Sequence, residues 1–214
     1  MGSEMCIRDR VRTIDLLAKN LGFYGKLMNL REKYKKGLLS EYKLSLLLAE
    51  KLKGIKKREV YSVLNEGILR EKAVEILRTL RGMKIKTAIV TQAFSPLVEY
   101  FREKGLNPDF LACIELEEEN GIFTGRIKNP SVYFNPGCEL KHMVCKELVL
   151  KKLSKEWDIP LDKVVGVGDG RGDICMFRLL NKKGGLSVGI GDKETIKPFV
   201  KFRVKKLEEI LSFF

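Results

Sequence analysis

The stretch Val164–Phe177, VVGVGDGRGDICMF, decides how the chain is read. Val164, Val165 and Val167 are β-branched, as buried strands prefer, and Gly168 permits a sharp turn. Ile174, Met176 and Phe177 then resume at helical spacing. Such a strand–turn–helix unit places its acidic residues, Asp169 and Asp173, at the carboxyl edge of a parallel sheet, where open α/β folds bind ligands. Two carboxylates without neighbouring His or Cys ligands suit Mg²⁺, which leaves room for water and substrate phosphate. The structural alternative makes Asp169 a turn former and Asp173 an N-cap.

Outward from this unit, the downstream segments alternate: a helix to about Asn181, strand 186–190, helix 193–200, strand 202–204 and a final helix 206–214. Strands alternating with helices imply a parallel sheet covered on both faces. Upstream, Cys138–Trp157 reads as one long basic helix. On such a helix Cys138, His142 and Cys145 share a face and could offer thiolate and imidazole to zinc. Three ligands with no partner pair leave ordinary packing as the expectation there. Asn-Gly at 120–121 signals a hairpin between 114–116 and 122–127. Ile85–Val90 reads as a strand ending at Thr91, followed by a helix from Ser95 with Pro96 in its first turn. A hydroxyl and free backbone N–H groups at that junction could hold an anion. From Thr13 to about Gly82 the pattern is helical, with an N-cap at Ser40.

The 214 residues hold 41 Lys and Arg against 28 Asp and Glu, a net charge of +13. The cations are spread over helix faces, and Tyr34 is the only aromatic within their short clusters, so nucleic acid is not the expected partner. No apolar run is long enough to span a membrane. The five cysteines show no CxxC pair and no regular framework, which points to a reducing cytoplasm. The opening MGSEMCIRDR resembles a translated sequencing-library adaptor, so residues 1–10 are set apart from the evolved sequence.

Thr91 after a strand, Lys146 in a helix and GDGRGD after a second strand resemble, in that order, the haloacid dehalogenase-like hydrolases, over residues 13–214. The 23 residues from Lys146 to Asp169 and the ENGIFTGRI hairpin are similar to the phosphoserine phosphatase branch. The resemblance implies an α/β, Rossmann-like three-layer parallel sheet, with residues 13–75 as an inserted helical cap and residues 76–214 as the core. It implies a phosphomonoester hydrolase working through an aspartyl-phosphate, with Mg²⁺ as cofactor and a small phosphorylated metabolite as substrate. Thr91, Gln92 and Lys146 would bind phosphate, Lys146 as the catalytic cation. Asp169 would hold the metal, with Asp173 as a metal-site residue supporting it.

Three departures from the family pattern stand out. The family's nucleophilic DxD pair maps to Ser3 and Met5, inside the adaptor-like segment, so the chain is expected to be inactive. Asp9 opens a chance DxVxT but lacks the second carboxylate. TQAF replaces a Ser-Gly-Gly-Phe type of second motif, and Leu48 stands where phosphoserine phosphatases carry a substrate-binding Arg. A phosphotransferase of the same family and a basic module binding an anionic partner are the alternatives. Without a native first strand, its two neighbours are expected to expose pairing edges, with low solubility or a substitute strand at 4–8.

Overall fold

The computed structural model describes residues 13–64 and 71–214; the proposed strand at 4–8 and the positions Ser3, Met5 and Asp9 lie outside these. Four helices come first: α1 (Thr13–Asn20), α2 (Tyr24–Lys35), α3 (Glu41–Glu50) and α4 (Lys57–Leu64). Ser40 caps α3 as its sequence suggests, its Oγ accepting from the Lys43 N–H at 3.2 Å. This satisfies one of the donors that a helix start leaves unpaired. The apolar faces of these helices bury Leu17, Leu27, Leu44, Leu48, Val60 and Leu64.

Helix α5 (Glu71–Gly82) leads to β1 (Ala88–Phe94), α6 (Ser95–Glu103) and β2 (Phe110–Ile114), with β1 and β2 parallel and Val90 opposite Ala112. The expected strand at 85–90 is therefore displaced: Thr91 lies inside β1 rather than at its end. Lys84 takes a left-handed φ of 59°, which delays extended backbone, and the strand runs on until Ser95 and Pro96 start α6. Asp109 fastens the other end of this pair, its Oδ2 accepting from the N–H and the Oγ1 of Thr87 at 2.8 and 2.9 Å.

The hairpin β3 (Leu116–Glu119) and β4 (Ile122–Ile127) is antiparallel. Asn120 and Gly121 have φ of 50° and 73°, the signs a two-residue hairpin turn demands. Its backbone docks on the helical segment: Gly54 donates to the Phe123 carbonyl at 2.9 Å and Lys57 to that of Gly121 at 2.8 Å.

Helix α7 (Lys146–Glu156) then precedes β5 (Val165–Gly168), α8 (Ile174–Lys183), β6 (Leu186–Ile190) and β7 (Phe202–Val204). Here the structure corrects the expected helix 138–157. Residues 138–145 are irregular, and Lys141 has a φ of 48°, which no right-handed helix tolerates. The helices expected at 193–200 and 206–214 are also absent as α-helices: only 3-10 turns form, at Lys197–Phe199 and Leu207–Phe213. Pro198 carries no N–H for a longer helix.

Strands β5, β6 and β7 form a parallel sheet in that order, and β1–β2 form a second one among the described residues. Between them lies a cavity of about 430 Å³, lined by Ile89 and Val90 of β1, Val165 and Val167 of β5, Leu153 of α7 and Met176 of α8. A parallel pair and a parallel three-stranded sheet facing each other across an apolar slot are the parts of one α/β sheet, with helices on its faces.

Candidate active site

The carboxyl ends of β1 and β5 and the start of α7 carry the site. Gly168 closes β5, and a Cβ there would meet the Asp173 carboxyl carbon at 2.2 Å. Only glycine lets that carboxylate fold back under the turn. Oδ2 of Asp173 accepts from the N–H groups of Asp169 and Gly170, both at 3.0 Å. Its other oxygen takes the ammonium of Lys146, with both side chains buried. Asp173 thus spends its acceptors shaping the turn and orienting Lys146. It stands at the N-cap position of α8 but makes no side-chain cap bond to that helix, its carboxylate bonding back to the turn instead.

Asp169 is 2% exposed. Its Oδ2 accepts from Lys193 Nζ at 2.9 Å, while Oδ1 is buried with no hydrogen-bond partner among the described residues. Burial raises the Asp169 carboxyl above its ordinary range, the nearby Asp173 adds to this, and Lys193 pulls it back down. A buried carboxylate oxygen without a donor is costly unless a cation or water serves it. The donor set fits a hard divalent ion such as Mg²⁺, bound through one carboxylate.

Gln92 does not point its amide into open space. Nε2 donates to the carbonyl of Val144, and Oε1 accepts from the Val144 N–H at 3.3 Å. The side chain thereby ties β1 to the loop two residues before Lys146. Thr91, 6% exposed, accepts from the Ala93 N–H at 3.1 Å through its Oγ1. The structure therefore links Lys146, Asp173 and Asp169 through direct contacts and ties Gln92, the neighbour of Thr91, to the loop before Lys146. Leu48 is buried at 7% exposure.

Two residues of this region escaped the sequence reading. Lys193 follows β6 by three positions, and the register of Gly168 opposite Gly189 puts the ends of β5 and β6 side by side; parallel neighbours sharing a carboxyl edge was the available signal. Glu41 is the other. It is 3% exposed, and its Oε2 lies 3.1 Å from His142 Nε2. Burial alone would lower His142, but Cys138 and Glu41 outweigh it and raise the imidazole to about 9. Cys138 and His142 are also not on a helical face, as the spacing suggested, but in the loop before α7.

The haloacid dehalogenase-like hydrolase family matches residues 9–178. The chain is 29% identical over 184 residues to a phosphoserine phosphatase of Archaeoglobus fulgidus, covering 86% of this chain and 49% of that protein. A phosphoserine phosphatase of Methanocaldococcus jannaschii is 26% identical over 203 residues, covering 94% of this chain and 90% of that one. The chain thus spans about half the length of the first of these relatives and most of the second. Among solved structures, a phospho-aspartyl intermediate analogue of phosphoserine phosphatase superposes with a TM-score of 0.74 at 26% identity, covering 95% of this chain and 91% of that one. With its family match, its α/β fold and its Lys146–Asp173–Asp169 turn, the chain belongs to the haloacid dehalogenase-like hydrolases, on the side of the phosphoserine phosphatases.

Proposed function

We propose that this chain carries the phosphate- and metal-binding half of a phosphomonoesterase site. In this reading residues 13–75 act as a cap over a core of residues 76–214. The observation that carries it is the buried, unserved Oδ1 of Asp169 beside an ordered Lys146. Lys146 and the Thr91 hydroxyl would hold equatorial phosphate oxygens together with the Gln92 N–H, offering positive charge and donors where charge shifts during transfer. Asp169 would hold Mg²⁺, which supplies charge neutralisation at the phosphoryl group. Asp173 keeps Lys146 oriented.

Transfer to an aspartyl group needs a nucleophilic carboxylate and a second one to move the proton. Ser3 and Met5 stand where the family pattern puts them, so we propose that the chain binds phosphate without turning it over. The substrate is a small phosphorylated metabolite. Leu48, which offers no cation for a substrate carboxylate, and Gln92, which carries a side chain where the family pattern has glycine, favour one other than phosphoserine.

Calorimetric titration of the chain with Mg²⁺ and inorganic phosphate tests this. Binding of phosphate that needs Mg²⁺ and is lost in both Lys146→Ala and Asp169→Ala supports the reading; phosphate binding indifferent to both substitutions overturns it.

A further inference from the structure

The loop before α7 and the first turn of α8 bring together a buried group that the phosphoryl chemistry does not use. Nδ1 of His142 lies 3.7 Å from Sγ of Cys138 and 3.9 Å from Sγ of Cys175. These three ligand atoms all lie within 4.8 Å of one another. Cys145 packs in the same cluster, beside Leu140 and Leu148, without being one of the three whose ligand atoms share the 4.8 Å separation. His142 and Cys145 are 0% exposed, Cys138 5% and Cys175 8%. On the far side of the ring, Nε2 meets Glu41 at 3.1 Å.

We propose that Cys138, Cys145, Cys175 and His142 form a structural zinc site, with Glu41 orienting the histidine. With Zn–S near 2.3 Å and Zn–N near 2.0–2.1 Å, a tetrahedral ion separates its sulfur and nitrogen ligands by about 3.6 Å. The two measured S–N distances need only a small contraction to match. Three soft thiolates and an imidazole select zinc over the hard ions that suit Asp169. With Cys145 turned inward as the fourth ligand, the negligible exposure leaves no place for a reactive water, as in closed structural sites. A carboxylate on the second ring nitrogen is the arrangement that fixes a metal-binding imidazole. Apolar packing accounts for the cysteines but not for a fully buried ring aimed at two of them. A disulfide would consume two thiols and strand the third; Cys138, Cys145 and Cys175 are free. Loading the site releases the protons of the ligands to solvent.

The place of the site gives it a purpose. Cys145 adjoins Lys146, and Cys175 follows Asp173 by two residues. The ion would therefore pin the irregular segment 138–145 to the start of α8 and hold the Lys146–Asp173 pair in register.

The test uses the full chain purified under reducing conditions. Elemental analysis should find zinc in near-equimolar amount, and Co²⁺ loaded in its place should give a thiolate-to-cobalt charge-transfer band. Cys175→Ser and His142→Gln together should abolish the band, and Glu41→Gln should weaken zinc about 10–100-fold. Cys113→Ser, outside the cluster on β2, and Asp169→Ala should leave stoichiometry unchanged; the latter separates this site from the proposed Mg²⁺ site. Because ligand variants can misfold, the wild-type chain decides by itself: a folded, reduced chain that binds no zinc under zinc excess, or whose cobalt form lacks the thiolate band, overturns the proposal. Zinc surviving the double substitution overturns it equally.

Discussion

Lys146 donates its ammonium to Oδ1 of Asp173, two charges buried together at the junction of α7 and the turn after β5. Because the other oxygen of Asp173 already holds two backbone N–H groups, this one carboxylate sets both the turn and the cation. Replacing it by alanine strands a buried ammonium and two amides. Asp173→Ala should cost about 3–5 kcal/mol, the range for breaking a buried pair. Denaturant unfolding of the variant checks this; a loss under about 1 kcal/mol, the worth of an exposed pair, contradicts it.

Gly168→Ala should be disruptive for a steric reason. The added Cβ would sit 2.2 Å from the Asp173 carboxyl carbon, so the turn must open, at about 1–3 kcal/mol or more. Gly25→Ala, in α2 with nothing within 4 Å of the new Cβ, should instead stabilise by about 0.5–1 kcal/mol. Thermal melts of the two variants should therefore move in opposite directions.

Gln92→Ala removes both hydrogen bonds to Val144. A loss of about 1–3 kcal/mol is expected from the unpaired Val144 groups. Phosphate affinity should fall with it, because the loop leading to Lys146 is no longer tied to β1. Gln92→Glu should fail to restore the tether, since a carboxylate has no donor for the Val144 carbonyl.

Asp109 gives the fold an acid limit. The backbone N–H of Thr87, outweighing the opposing effect of partial burial, holds this carboxyl below its ordinary range, helped by the Thr87 hydroxyl and Lys86. A carboxylate with a depressed folded value adds stability above the unfolded value of about 4, and that stability is lost as pH falls through the lower folded value. The difference in melting temperature between the wild type and Asp109→Asn should thus be present at about pH 6 and shrink toward about pH 2. A difference independent of pH would contradict the assignment.

Much of the site was legible because its determinants are local. VVGVGDGRGD encodes strand, turn and carboxylates within one short stretch, and Asn120-Gly121 encodes its hairpin outright. The loop 138–145 misled for the converse reason. Cys138, His142 and Cys145 fall at helical spacing, yet the groups that hold this segment lie elsewhere in sequence: the Tyr42 N–H donates to the Lys141 carbonyl and the Cys145 N–H to that of Tyr133, while Glu41 and Cys175 meet the His142 ring. Lys193 was hidden in the same way, since its contact to Asp169 depends on the register between β5 and β6. Gln92 and Ala93 lack strand propensity, so the sequence pattern ends strand β1 at Thr91, while the pairing of Phe94 with Ile114 carries the strand through them.

The proposal of a phosphomonoesterase site that binds phosphate without turnover is tested most directly by hydrolysis of p-nitrophenyl phosphate with Mg²⁺. The chain as it stands should release no nitrophenol above background. A version carrying a native-type DxD strand ahead of Thr13 should turn the ester over, and Asp169→Ala in that version should abolish the activity. Turnover by the present chain that is lost on Asp169→Ala, or silence from a folded version with the strand restored, would contradict the claim.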